Sequence, residues 1–124
     1  MTKLVLDVGN CGPDHWAIRA LVEDNFDAKV VQSHGLVDTL RLLRERHFDL
    51  VLVNRKLDQD YSDGLEIVRQ IKAEADVQHV PAMLITNHAD HQQRAIAHGA
   101  LYGFGKLELD RPETLEKLAA HLTG

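Results

Sequence analysis

Apolar and polar positions along this chain switch repeatedly between two periods. Short apolar runs fall at about 3–8, 28–32, 48–54, 80–86 and 101–105. Their length and flanks fit strands buried on both faces. Between them, apolar residues recur every three or four positions, as on helices with one inward face. The first helix begins near Pro13, a residue favoured at the first helical position. It sets Trp16, Ala20 and Leu21 at core spacing, with Ile18 and Val22 beside them. A second, over about 35–46, aligns Leu36, Leu40 and Leu43. A third starts near Asp63-Gly64 and carries Leu65, Ile67, Val68 and Ile71. The last, over about 111–122, has Pro112 early and turns Leu115, Leu118, Ala119 and Leu122 inward. The fourth, over about 90–98, has Ile96 as its only large aliphatic residue, which predicts weak packing and easy motion.

Five strand–helix alternations predict a parallel sheet covered on both faces. Right-handed crossovers leave few topologies. The expected fold is α/β, a flavodoxin-like three-layer sandwich with strand order 2-1-3-4-5, formed by one domain over residues 1–124. In that order the first and third strands are neighbours, and ligands bind outside their carboxyl ends. Asp7 and Asn54 end those two strands, and Thr86 and Lys106 end the next two along. The plain alternative is that polar residues stand there because strands must stop.

Composition narrows the classes without choosing one. A chain of 124 residues buries enough surface for a core without staples. Hydrophobic content of 44% and charged content of 27% are ordinary for a globular domain. The net charge of −5 argues against nucleic acid or an anionic membrane as the default partner. Cys11 is the only cysteine, so no internal disulfide forms, which fits a reducing cytoplasm. No run reaches the length of a membrane span. The first strand follows Met1-Thr2-Lys3 at once and the sequence stops soon after its last helix, so neither a signal peptide nor an output domain is expected. A cytoplasmic location is therefore expected.

Several other constellations compete for a role. The loop Gly9-Asn10-Cys11-Gly12-Pro13-Asp14 precedes a helix N-terminus, where backbone N–H groups can bind anions. It lacks dinucleotide and Walker patterns, and Asp14 would cap the helix or repel phosphate. The 8 histidines include His88, His91 and His98 around Asp90; a metal site needs two or three of them to converge, and a solvated polar face is the simpler reading. Cys11 is expected as a small packing residue. Asp58 and Asp60 are expected to face water. No nucleophile elbow and no Ser-His-Asp set is evident, so an enzyme is not expected.

The order and spacing of four segments resemble the receiver domain of response regulators, over nearly the whole chain. Phe48-Asp49-Leu50-Val51-Leu52-Val53-Asn54 resembles the third strand, with Asn54 where the family has its phosphoacceptor Asp. Leu57 and Asp63-Gly64-Leu65-Glu66 resemble the following loop and helix, although the loop is about two residues longer and Asp58 stands where the family often has Pro. Val80-Pro81-Ala82-Met83-Leu84-Ile85-Thr86 resembles the fourth strand with its switch threonine. Gly99-Ala100 through Lys106 resembles the fifth strand with its lysine.

The departures shape the functional expectation. Receivers hold Mg2+ with two acids after the first strand, but here Asp7 precedes Val8-Gly9-Asn10. An amide at position 54 is a far weaker nucleophile than a carboxylate. Mg2+ favours carboxylate oxygens, so binding through Asp7 is expected to be weak or absent, and no cofactor is expected. The aromatic switch position falls on Gly103, flanked by Tyr102 and Phe104 on the opposite face by strand parity. Leu107 replaces the usual proline, predicting a trans Lys106–Leu107 bond and a rearranged loop. Lys106 is expected to pair with Asp7 or with the Asn54 amide. The resemblance thus implies a two-component signalling domain, independent of phosphorylation at Asn54, that acts as a protein-interaction module. Its implied partners are a histidine kinase, another signalling protein or a second copy. Arg94, His98, Tyr102 and Lys117 are candidates for the partner face. Two alternatives stand beside this: a receiver whose acceptor has moved to Asp7 or Asp58, and a flavodoxin-like domain binding a small ligand through the Gly9–Asp14 loop.

Overall fold

The computed structural model describes residues 2–123. Five strands alternate with five helices: β1 (Lys3–Val8), α1 (Gly12–Asn25), β2 (Ala28–Ser33), α2 (Leu36–Glu45), β3 (Leu50–Asn54), α3 (Gly64–Ala73), β4 (Ala82–Ile85), α4 (Ala89–Ala97), β5 (Leu101–Phe104) and α5 (Pro112–Leu122). A single 3-10 turn, Lys106–Glu108, separates β5 from α5. All strand pairs are parallel, and the sheet runs β2-β1-β3-β4-β5. This is the predicted flavodoxin-like order. Every junction between neighbours in sequence is a helical crossover, and the two sheet faces are dry because helices cover both.

Strand parity divides the core in two. Leu6, Val8, Val51, Val53 and Leu84 pack on one face with Leu43, Leu65, Val68 and Ile71 of α2 and α3. Val5, Leu50, Leu52, Met83, Ile85 and Phe104 pack on the other with Ile18, Leu21, Val22, Leu118 and Leu122 of α1 and α5. Successive residues of one strand thus serve opposite layers, which is why the strands read as unbroken apolar runs.

Two inward faces differ from the expected ones. On α1, Leu21 is buried as expected, together with Ile18 and Val22 beside it, but Trp16 is 65% exposed and Ala20 is also exposed. The helical period allows either stripe, and packing against the sheet selects Ile18, Leu21 and Val22. On α4, Ile96 faces outward and the buried residues are Gln92 and Ala95. Cys11 is exposed at the N-cap of α1 rather than packed.

The β4–β5 seam carries an irregularity that matters for the site. Met83 pairs with Leu101 and Ile85 with Phe104, so the register shifts between them. Gln92 repairs the break from above. Its Nε2 donates to the carbonyls of Leu84 (2.9 Å) and Thr86 (3.3 Å), and its Oε1 accepts from the Gly103 N–H (2.9 Å). The strands approach so closely that a Cβ on Gly103 would lie 2.3 Å from the Leu84 carbonyl oxygen. Glycine at this position is therefore a packing requirement of the seam.

Candidate functional site

The carboxyl ends of β1, β3, β4 and β5 deliver Asp7, Asn54, Thr86 and Lys106 to one edge of the sheet. Three of the four line one open cleft of about 310 Å³: Asn54, Thr86 and Lys106, together with Arg55, Lys56, Asn87, His88 and His91. Asp7 does not line it. It is fully buried under the β1–α1 loop.

Asp7 is already engaged at both oxygens. Its Oδ1 accepts from the Asn10 amide at 2.6 Å, and its Oδ2 lies 2.7 Å from His15 Nδ1. Burial pushes the Asp7 carboxyl above its ordinary value, because the charged form loses water. The bonds from Asn10 and His15 and the nearby charge of Lys106 pull it back only in part. Asn10 is held in turn by Gln32, whose Nε2 donates to its carbonyl at 2.7 Å, while its own Oδ1 is buried without a partner.

Asn54 turns its amide toward backbone. Nδ2 donates to the Gly9 carbonyl at 3.0 Å and to the Lys56 carbonyl at 2.6 Å. The Gly9 carbonyl also accepts from Asp58 N–H at 3.0 Å, so one oxygen ties the loop after β1 to the loop after β3. A carboxylate at position 54 would have no proton to offer either carbonyl. The start of α3 closes over this strand end: a Cβ on Gly64 would fall 1.9 Å from the Asn54 carbonyl oxygen.

Lys106 reaches neither of its expected partners. Its Nζ is 2.7 Å from Asp14 Oδ2, an ion pair between the β5–α5 loop and the first turn of α1. The reason is access: Asn10 and His15 already occupy the Asp7 oxygens, and the Asn54 amide is turned to the loop backbone. The Thr86 hydroxyl accepts from His88 N–H at 3.2 Å and lies 3.3 Å from His91 Nδ1. The backbone of Thr86 donates to Phe104 at 3.0 Å, which couples this threonine to the β4–β5 seam.

Asp58 is not solvated as expected. Its side chain is mostly covered, with Oδ2 at 2.9 Å from His34 Nδ1 and Oδ1 buried without a partner. Asp60 does face water, bonded to Ser62 N–H. Of the four candidate partner-face residues, Arg94, His98 and Tyr102 are exposed. The Lys117 amine is tied to the Gly103 carbonyl at 2.8 Å and lies 4.6 Å from the Tyr102 ring centre. Phe104 is buried, although it shares strand parity with exposed Tyr102. No described peptide bond is cis, and Lys106–Leu107 enters the 3-10 turn in trans.

These residues do not suit Mg2+. Both Asp7 oxygens are taken by side chains, the next residue along the strand is buried Val8, and Asn54 presents donors to the loop. Among the described residues no three His, Cys, Asp or Glu side chains converge to hold a metal ion. His15 and Gln92 escaped the reading of the sequence, while Asn10 and His91 entered it only as members of the Gly9–Asp14 loop and of the histidine group. A signal exists for the two that escaped. His15 falls one turn into the helix after the Asp7 loop, and Gln92 stands three residues before Ala95 on a helix with little else to bury.

The comparisons with known proteins agree with this architecture. Over 123 residues the chain is 26% identical to the polar-differentiation response regulator DivK of Brucella ovis, covering 98% of both chains. Its fold is similar to a putative response regulator from Chloroflexus aurantiacus, with a TM-score of 0.85 at 12% identity over 100% of both chains. It is also similar to the receiver domain of sensor histidine kinase PA1611 from Pseudomonas aeruginosa, solved with a magnesium ion in its active-site cleft (TM-score 0.80, 17% identity, 100% of both chains). The response regulator receiver domain model matches residues 14–119. With the strand order, the four strand-end residues and this match together, the chain belongs to the response regulator receiver domain family.

Proposed function

We propose that this chain is a receiver module that signals without phosphorylation at position 54, by binding other proteins in a form its own side chains hold in place. The observation that supports this best is the Asn54 amide, donating at once to the carbonyls of Gly9 and Lys56. Those two bonds use the chemistry that distinguishes an amide from a carboxylate. They join the two loops that would have to admit a phosphodonor. The Asp7–His15–Asn10 cluster and the Lys106–Asp14 pair fill the roles that a metal ion and a phosphoryl group would otherwise take. Such a module has no catalytic residue of its own. Its partners would be a histidine kinase or another signalling protein, meeting a face that includes Arg94, His98 and Tyr102, which are exposed. Relocation of the acceptor to Asp7 fits poorly with its burial, and relocation to Asp58 with its contact to His34.

The test is intact mass after incubation with acetyl phosphate and Mg2+, beside an ordinary receiver labelled under the same conditions. The expected result is no phosphoryl adduct on this chain. A stable adduct that disappears in Asp7→Asn or Asp58→Asn would overturn the proposal and identify the acceptor.

A further inference from the structure

Lys72 lies half-buried in the last turn of α3 and does not line the strand-end cleft. Its stem packs against Gly99, where an added Cβ would lie 3.1 Å from Lys72 Cγ. The amine turns back to the connection between α3 and β4, and Nζ donates to the carbonyls of Gln78 at 2.9 Å and Val80 at 2.7 Å. Among the described residues it forms no ion pair. The acids closest to it in the chain are engaged elsewhere: Glu74 and Asp76 with Arg44 of α2, and Glu66 with Arg69. His79 and His98, next to Gln78 and Gly99 in the chain, are exposed. Two carbonyls match the two N–H groups of a neutral amine. An ammonium brings a third N–H and a full charge that no carboxylate balances, so its loss of water goes uncompensated. Burial accordingly pulls the Lys72 amine below the ordinary lysine value. With both hydrogens of the neutral form directed at carbonyls, the nitrogen lone pair points away from the turn.

We propose that Lys72 is a modification site, a nucleophilic amine that accepts the acetyl group of small activated acyl donors. Acyl phosphates and acyl thioesters share this chemistry. The neutral Nζ attacks the donor's carbonyl carbon, and its lone pair forms the new C–N bond. The bond from that carbon to the phosphate oxygen or the thiol sulfur breaks, and its electron pair leaves with phosphate or thiolate. The nitrogen gives one proton to water, and the product is an uncharged amide. This amide keeps a single N–H, so one of the two turn carbonyls loses its donor. The site is separate from Asn54. A chain that takes no phosphoryl group from acetyl phosphate takes its acetyl group instead, on the far side of the molecule's chemistry from the strand ends.

The test is competitive acetylation of the full native chain, with acetyl phosphate in one arm and the small thioester S-acetyl-N-acetylcysteamine in the other, both without Mg2+. Digestion and mass spectrometry read the initial rate at each lysine. Near neutral pH, Lys72 should react about threefold or more faster than the exposed Lys29 and Lys56, because a desolvated amine is neutral more of the time. That advantage should shrink as pH rises toward the ordinary lysine value of 10.5, where the other amines also become neutral. It should vanish in urea, where the turn carbonyls no longer hold the amine. Lys72→Arg should remove the signal and leave the rates at Lys29 and Lys56 unchanged. A lysine that only caps the turn gives the opposite order, with Lys72 slower than the exposed amines. That order, equal rates in both arms, or an advantage that persists in urea or at high pH would overturn the proposal. A preference in one arm alone upholds it and identifies the donor as acyl phosphate or thioester. A phosphoryl mass on a carboxylate is the separate result that defeats the phosphorylation-independent reading, whatever Lys72 does.

Discussion

Replacing Gln92 by Leu should destabilise the fold strongly, although the two side chains are similar in size and the helix around it is polar. Gln92 is 2% exposed and makes three hydrogen bonds, two donated to the carbonyls of Leu84 and Thr86 and one accepted from Gly103 N–H. Leucine returns none of them. The Gly103 N–H lies at the register shift between β4 and β5, where the ladder provides no substitute. An orphaned buried donor costs about 1–3 kcal/mol, and each carbonyl that loses a partner adds about 0.5–1.5 kcal/mol. The apolar side chain offsets part of this, since burying it contributes roughly 1.5–3 kcal/mol relative to exposure. At the middle of these ranges a net loss of about 2 kcal/mol remains. Urea unfolding followed by circular dichroism is the assay. For a slope of about 2 kcal/mol per molar, the midpoint should fall by about 1 M with the slope unchanged. Hydrogen exchange at the Gly103 amide should lose protection in parallel. A midpoint shift of under ~0.5 M would refute the reasoning and mean that water or backbone satisfies the seam. Gln92→Glu sharpens the test. It keeps an acceptor for Gly103 but turns an oxygen toward two carbonyls, so it should be worse than Leu at neutral pH and recover in acid, where a protonated carboxyl regains one donor.

Three further expectations follow from the same geometry. Gly64→Ala should destabilise by about 1–3 kcal/mol or more, because the new Cβ would meet the Asn54 carbonyl oxygen at 1.9 Å and must push β3 and α3 apart; thermal melting measures it, and an unchanged midpoint would contradict the close approach. Asp7→Asn should gain stability relative to the parent as pH rises. The parent's raised carboxyl binds its proton more tightly when folded, so that contribution is complete below the ordinary value of 3.8 and is lost as pH climbs through the raised one; melting curves across pH 3–7 should show the difference growing, and a constant or shrinking difference would reverse the sign. Lys106→Ala should change stability by less than about 1 kcal/mol, since the Lys106–Asp14 pair is partly open to solvent at both ends; a larger loss in denaturant titration would mean that this pair holds the loops together.

Much of this protein is decided by its sequence alone. The five apolar runs and intervening helical periods impose the layered parallel sheet, because a strand apolar on both faces is stable only between two layers of helices, and right-handed crossovers narrow its strand order to a few choices. The strand ends then carry Asp7, Asn54, Thr86 and Lys106 to one edge, since strand ends are set by the same apolar boundaries. What each side chain does at that edge was not legible. Whether Lys106 meets Asp7 or Asp14 depends on which groups reach Asp7 first, and those are His15 and Asn10, brought there by the tilt of α1 and the path of its preceding loop. Trp16 and Ile96 point to solvent because a helix with two admissible stripes takes its rotation from the surface it docks on. Gln92 acquires its role only through a register shift between two strands, which leaves backbone groups in need of a partner that no local pattern of residues announces. Hydrophobic periodicity is a property of neighbours along the chain and so fixes the layers. Hydrogen bonds and ion pairs at the site join residues distant in sequence, and their choice of partner waits on distances that only packing sets.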